Sequence, residues 1–320
     1  MPPAGERGDG STPSPDEAFA VLGNQIRMDT LRVLADADGA CPFSDLYDAV
    51  DVDDSGQFNY HLDKLVGHYV EKTDAGYGLT QAGNRVIEAV LSGAMTDAPV
   101  VEPTEIAQSC PYCGAPVEVS FREERVRLYC TSCAGTFSRS DADSAASAPS
   151  DRGHIGDVLL PPAGVRGRTP AEMTETAITW ANLEFAAAAS GVCPRCAATF
   201  DQSPLVCEDH DADDGLCETC GRRHAVQLDN RCTNCTFGYG GTLLAILLDE
   251  LAFLEHLVDH GVNPISPSPE AFLALDMTYE ERFVDTDPFE ARFSVAIDDD
   301  VLAVTVDDEL DVVDVTREDA

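Results

Sequence analysis

Apolar positions recur at helical spacing through residues 14–95. Ser14-Pro15-Asp16-Glu17 opens a first helix: a Ser N-cap, Pro at N1 and Glu at N3 make a capping box. Gly23 ends that turn and Asn24 caps a second helix, in which Ile26, Leu31 and Leu34 share a face. Ser44 caps a short third helix carrying Leu46 and Val50. From about Ser55 a fourth helix places Phe58, Leu62, Leu65 and Val66 at i, i+4, i+7 and i+8, a core stripe. Strand-like pieces then flank Asp74-Ala75-Gly76, a three-residue turn with Gly where positive φ is needed. Gln81–Leu91 closes the unit, with Val86, Ile87, Val90 and Leu91 inward.

Beyond this unit the pattern is more broken. Residues 1–13 are Pro/Gly/Ser-rich and expected to be disordered, and 94–107 read as a linker. Residues 140–152, low-complexity and acidic, read as a flexible linker. The segment 153–190 reads as helical, with one helix over 170–190 and Pro170 near its start. Residues 237–320 read as a helix from Leu243 to His260 followed by a short β module. Its three strands are the alternating runs ARFSVAI, VLAVTV and LDVVDVT. The expected class is α+β and multidomain.

Twelve cysteines change the picture. Ten form C-x-x-C pairs: Cys110/Cys113, Cys130/Cys133, Cys193/Cys196, Cys217/Cys220 and Cys232/Cys235. The start of the chain has no apolar leader core and no stretch approaches a membrane span, so cytoplasmic metal sites are expected rather than disulfides. Two strands between Cys113 and Cys130, alternating at Val117, Val119 and Phe121 and at Val126 and Leu128, would bring the first two pairs together. Residues 105–139 are thus expected to be a four-cysteine zinc ribbon. Residues 191–236 add Cys207 and His210 to three pairs, eight ligands for two more zincs and three per chain. The preferred pairing is sequential: Cys193, Cys196, Cys207 and His210, then Cys217, Cys220, Cys232 and Cys235. A cross-brace of the first pair with Cys217/Cys220 is the alternative. His210 also fits a plain surface position. Closed four-ligand sites point to structural zinc, and Cys41 reads as a buried structural thiol.

The charge first argues against nucleic acid. Twenty Lys+Arg against 58 Asp+Glu give −38, and non-specific DNA affinity needs basic groups. The acid is spread along the chain, however, as in the proteins of salt-in halophiles. Residues 14–95 hold five basic against fourteen acidic groups. Within them, residues 55–72 are neutral and contain Lys64 and Lys72, both lysines of the sequence. The outward face of the fourth helix then presents Ser55, Gln57, Asn59, Tyr60, Asp63 and Lys64. Gln57 and Asn59 can pair with adenine, and Tyr60 can reach phosphate or a thymine methyl. His61 fits helix packing as well as a base contact. Lys72, Thr73 and Tyr77 would lie on or beside the minor groove. Residues 105–139 are neutral too, with Arg122, Arg125, Arg127 and Arg139, for which a solvated strand face is the preferred reading. Arg222 and Arg223 read the same way.

Three helices, a recognition-type helix, a β-hairpin and a last helix are the order of a winged helix-turn-helix. Over 14–95 the sequence resembles ArsR-like winged-helix regulators of halophilic archaeal type. The resemblance rests on LGNQIRMDTLRVL, on SGQFNYHLDKL and on YGLTQAG, which fits the family's aromatic-x-Leu-Thr-x-x-Gly. It implies a homodimer joined through Pro15–Leu22 and Gln81–Leu91 and an inverted-repeat DNA site. It does not extend to metal sensing, because residues 43–66 contain no cysteine. The expected function is sequence-specific DNA-binding transcription regulation. The alternative is a zinc-ribbon adaptor for transcription machinery. No enzyme is expected: no H-E-x-x-H, Walker loop, G-x-S-x-G or dinucleotide loop occurs, and GYGGT at 238–242 is a lone Gly-rich turn.

Overall fold

The computed structural model describes residues 14–137, 152–212 and 215–319. The expected tail 1–13, linker residues 140–151 and Arg139 lie outside the described residues. The chain divides into two units, Met1–Thr96 and Asp97–Ala320.

The first unit runs α1 (Pro15–Leu22), α2 (Gln25–Asp36), α3 (Phe43–Ala49), α4 (Ser55–Leu65), β1 (Val70–Thr73), β2 (Gly76–Leu79) and α5 (Gln81–Leu91). The helix starts are fixed locally. Ser14 and Glu17 form the capping box, Asn24 accepts from the Arg27 amide, and Asp54 accepts from the Gly56 and Gln57 amides at 2.7 and 3.1 Å. At α3 the N-cap is Pro42 rather than Ser44, whose hydroxyl donates to Asp45 at 2.8 Å. Leu31, Leu34, Leu46, Phe58, Leu62, Leu65 and Ile87 fill the core. This is a winged helix-turn-helix.

Three details differ from expectation. The wing turn holds two residues, since Thr73 pairs with Gly76. Gly76 sits at φ +138° beside Cys41, which bridges to Tyr77: a Cβ on Gly76 would lie 2.4 Å from the Cys41 carbonyl oxygen. Cys41 exchanges backbone hydrogen bonds with Tyr77 and is half-buried rather than buried. Leu91, the last residue of α5 and one turn beyond Ile87, is 50% exposed rather than inward.

The second unit opens with an antiparallel sheet, β3 (Val101–Ser109), β4 (Pro116–Arg122), β5 (Arg125–Cys130) and β6 (Gly153–Leu159), in chain order. The expected linker over 94–107 and the expected helix from 153 are therefore both partly strand. β4 and β5 are buried almost throughout, so they are central strands and need flanking partners. The sheet packs under α6 (Pro170–Ala189) through Met173, Ala177 and Ala181. Thr169 and Glu172 give α6 a capping box.

A three-stranded sheet follows: β7 (Phe200–Val206), β8 (Val226–Cys232) and β9 (Gly238–Gly241). The expected helix 243–260 is two pieces, a 3-10 helix Leu243–Asp249 and α7 (Leu251–Asp259). Glu250 breaks them apart in an extended conformation, where its carboxylate accepts from the Ala252 amide at 3.2 Å and starts α7 afresh. The C-terminal part is α8 (Pro269–Thr278) and a four-stranded antiparallel sheet, β10 (Tyr279–Thr286), β11 (Phe289–Ile297), β12 (Asp300–Val306) and β13 (Val312–Asp319). The last three are the expected strands. β10 was hidden by its acidic composition, and its register shifts between Glu281 and Phe283, which breaks the alternation.

Candidate metal centres and nucleic-acid interface

Three groups of four side chains converge in the second unit. Cys110, Cys113, Cys130 and Cys133 form the first, Cys193, Cys196, Cys232 and Cys235 the second, and Cys207, His210, Cys217 and Cys220 the third. Within each group the ligand atoms lie within 4.8 Å of one another. Nearest sulfur pairs stand at 3.5–3.7 Å in the two all-cysteine groups. Four sulfurs about 2.3 Å from one central ion would stand about 3.8 Å apart, so the spacing fits a tetrahedral ion.

Each group grows from knuckles with a common backbone. The first cysteine's amide donates back over the turn, as Cys110 to Ala115, Cys193 to Ala198, Cys217 to Arg222 and Cys232 to Phe237. After the second cysteine, Gly114 (φ +74°), Ala197 (φ +60°) and Gly221 (φ +69°) take the left-handed conformation that closes the turn. Amides also point at sulfur: Ser132 and Cys133 donate to Cys130 at 3.3 and 3.2 Å. Such donors favour thiolate. The Ala115 amide draws the Cys113 thiol down to about 7, the Ala198 amide draws Cys196 to about 6, and the Asp211 amide draws Cys217 to about 6.

His210 stands where it could hold a metal with the cysteines. Its Nδ1 lies 3.5 Å from the Cys220 sulfur, and its Nε2–H donates to the Arg223 carbonyl oxygen at 3.1 Å. That outer hydrogen bond fixes the ring and leaves Nδ1 free for a metal.

The pairing corrects both sequence expectations. It is neither sequential nor a cross-brace but nested: the outer knuckles share one site and the inner ones the other. The cause is the β7–β8 pairing, which aligns Phe200 with Cys232 and Val206 with Val226. TFDQSPLV and AVQLDNR thus pair with each other. One end of that hairpin gathers Cys193/Cys196 with Cys232/Cys235, and the other end gathers Cys207/His210 with Cys217/Cys220.

The knuckles are tied to the fold by the residues between their ligands. Arg195, between Cys193 and Cys196, pairs with the buried Glu184 of α6 at 2.6 Å. Tyr112, between Cys110 and Cys113, donates to the Asp276 carboxylate and carries the Arg223 guanidinium on its ring. The arginines expected on a solvated strand face are spoken for: Arg125 pairs with Asp157 at 2.7 Å, Arg122 with Glu102 at 3.5 Å, and Arg127 is buried.

In the first unit α4 buries Phe58, Leu62 and Leu65 and exposes Ser55, Gln57, Asn59, Tyr60, Asp63 and Lys64. The Asn59 amide donates to Asp63 at 3.1 Å, and the Lys64 ammonium lies 5.6 Å from the Tyr60 ring centre. Lys72 and Thr73 are exposed on the wing. His61 is half-buried and accepts from Arg27 at 3.2 Å; burial, then the Arg27 charge, lowers its pKa. It belongs to α2–α4 packing. Tyr77, expected beside a groove, is only 6% exposed. It packs near Phe43 in the core, and the Lys72 ammonium sits 5.4 Å from its ring centre.

Two sequence families match. The one described as Domain of unknown function (DUF7351) covers residues 107–312, and Domain of unknown function (DUF7347) covers residues 15–90. The chain belongs to the DUF7351 family. No curated protein and no solved structure matches it. The DUF7351 match contains all three tetrads, and the DUF7347 match contains α4 and the wing.

The sequence displays all twelve members of the three tetrads but not what packs around them. Tyr112, Glu184, Arg195, Arg223 and Asp276 left a signal only in their place beside a knuckle or on a helix face. No helix among the described residues is long and apolar enough to cross a membrane.

Proposed function

We propose that the chain is a sequence-specific DNA-binding transcriptional regulator whose second unit is built around three structural zinc ions. The observation that carries this reading is the row Ser55, Gln57, Asn59, Tyr60 and Lys64, turned to solvent on α4 beside Lys72 and Thr73 on the wing. Amide and hydroxyl side chains at helical spacing suit base edges, and the two lysines suit phosphates. His61 and Tyr77 drop out of the reading set because both are held by the unit itself. The net charge of −38 is compatible with this in a salt-rich interior. At ~1 M ionic strength the Debye length is roughly 3 Å, so short-range hydrogen bonds outweigh long-range repulsion.

Cysteine-rich four-donor sets at this spacing suit zinc among the common ions. Each set supplies four protein donors and leaves no coordination position for a substrate water, so we read the ions as structural. Short segments with small cores gain folding energy from them.

A homodimer fits the first unit. Among the described residues α1 buries no side chain, and it exposes Phe19 (69%); α5 exposes Leu91. Joining these faces in a two-fold pair would set two α4 helices to read an inverted repeat, with half-sites about one helical turn apart. DNase footprinting with zinc-loaded protein in molar KCl tests the reading. Two protected half-sites one turn apart are expected. No protection on any genomic fragment would reject it.

A further inference from the structure

A cavity of about 640 Å³ lies inside the second unit, between α6, the 3-10 helix Leu243–Asp249, β6 and α8. Its size falls in the range of small-molecule sites, about 300–1,000 Å³. Most of its wall is apolar, with Ile178, Leu244 and Leu248 among the lining.

The polar groups on that wall divide sharply. Arg125 and Asp157 pair with each other at 2.7 Å, Asp276 accepts from Tyr112 and Thr136, and Asn182 donates to the Pro264 carbonyl oxygen. Two side chains on it carry buried polar atoms without a hydrogen-bond partner. His154 is 3% exposed, and neither of its ring nitrogens has a hydrogen-bond partner among the described residues. The buried Tyr239 hydroxyl has none either. Buried donors and acceptors are seldom left unpaired, because each forfeits its hydration. Two on one cavity wall mark a place where a bound molecule completes the hydrogen bonding.

We propose that this cavity binds a mainly apolar organic molecule carrying a hydroxyl or carbonyl group, held by His154 and Tyr239. Burial holds the His154 imidazole uncharged. A neutral imidazole offers one donor and one acceptor and a phenol offers both, which suits an alcohol, phenol or ketone. The inference does not rest on DNA binding by the first unit.

The test uses Nile red, a neutral carbonyl-bearing dye, titrated into the zinc-loaded full chain in molar KCl. Biphenyl and 4-phenylphenol then compete; they share a body and differ by one hydroxyl. Blue-shifted dye fluorescence is expected, with 4-phenylphenol displacing the dye at about three- to tenfold lower concentration than biphenyl, the worth of one net hydrogen bond. The double variant His154→Phe/Tyr239→Phe should bring the two competitors together. Leu244→Trp and Leu248→Trp should each fill the cavity and weaken dye binding while zinc content stays unchanged. Absence of a dye signal, equal competition in the unaltered chain, or undiminished binding in both tryptophan variants would overturn the proposal.

Discussion

The Arg223 guanidinium lies 3.9 Å from the centre of the Tyr112 ring. It also donates to the Gly135 carbonyl oxygen at 3.1 Å, and the Arg223 amide donates to Thr136 at 3.0 Å. Arg223 follows Cys220 by three residues, while Tyr112 stands between Cys110 and Cys113. The first and third tetrads are therefore locked together by one side chain that the sequence offered only as a surface charge.

Replacing Arg223 by Ala should destabilise the second unit by about 1–3 kcal/mol, from lost charge-assisted hydrogen bonds and cation–π contact. Arg223→Lys should recover part of this, since lysine keeps the charge but not the planar fork. Denaturant unfolding of the zinc-loaded chain measures both. Equal stability of Arg223→Ala and the unaltered protein would contradict the lock.

The nested pairing has its own signature in metal content. Cys193→Ser/Cys232→Ser removes two ligands of one tetrad, so the chain should lose one tightly held metal ion. Cys193→Ser/Cys207→Ser touches two tetrads and should lose two. The sequential pairing requires the reverse result. Metal analysis after dialysis against a weak chelator decides between them.

How much of this was legible depends on how local the determinant was. The capping residues Ser14/Glu17 and Thr169/Glu172, the core stripe Phe58/Leu62/Leu65 and the C-x-x-C knuckles each act within a few residues, and the sequence displays them. Strand partnership does not act locally. Whether Cys207 meets Cys193 or Cys217 depends on β7 pairing with β8, and nothing in TFDQSPLV names its partner. β3 and β6 went unseen for the same reason: Val101, Ile106, Ile155 and Val158 carry too little alternation to announce a strand. Tyr77 shows a third limit, since it is bridged by Cys41, which lies far from the wing in sequence.

Gly83 makes the winged unit sensitive where helix propensity says it should gain. Gly→Ala within a helix ordinarily stabilises by about 0.5–1 kcal/mol. Here an added Cβ would stand 2.1 Å from the Tyr69 carbonyl oxygen. Gly83→Ala should instead lower the melting temperature of the first unit, by an energy of about 1–3 kcal/mol typical of overpacking. A rise in melting temperature would contradict the packing of α5 against Tyr69.

His154 makes stability depend on pH. Burial lowers its pKa from the usual 6.5 to about 4, against the raising effect of Asp157 and with small help from Arg127 and Arg125. Between those values the unfolded chain binds the extra proton, so stability rises with pH across the window and is lost as pH falls from 6.5 to 4. The contribution is on the order of 3 kcal/mol. Tetrad thiols protonate on acidification too, so the informative quantity is the difference between unaltered protein and His154→Phe. The variant should show a flatter stability profile over this window. Parallel profiles would refute the assignment.

The central claim is that α4 reads DNA through its exposed face. The most direct measurement selects genomic fragments bound by the full zinc-loaded chain in molar KCl, then compares that site with a scrambled duplex. Clear preference for the selected site is expected, and Gln57→Ala/Asn59→Ala should cost about 1–3 kcal/mol of it per lost bidentate contact. Because both residues are exposed, metal content and melting temperature should stay unchanged in the variant. A double variant that binds the selected site as well as the unaltered chain does would contradict the account.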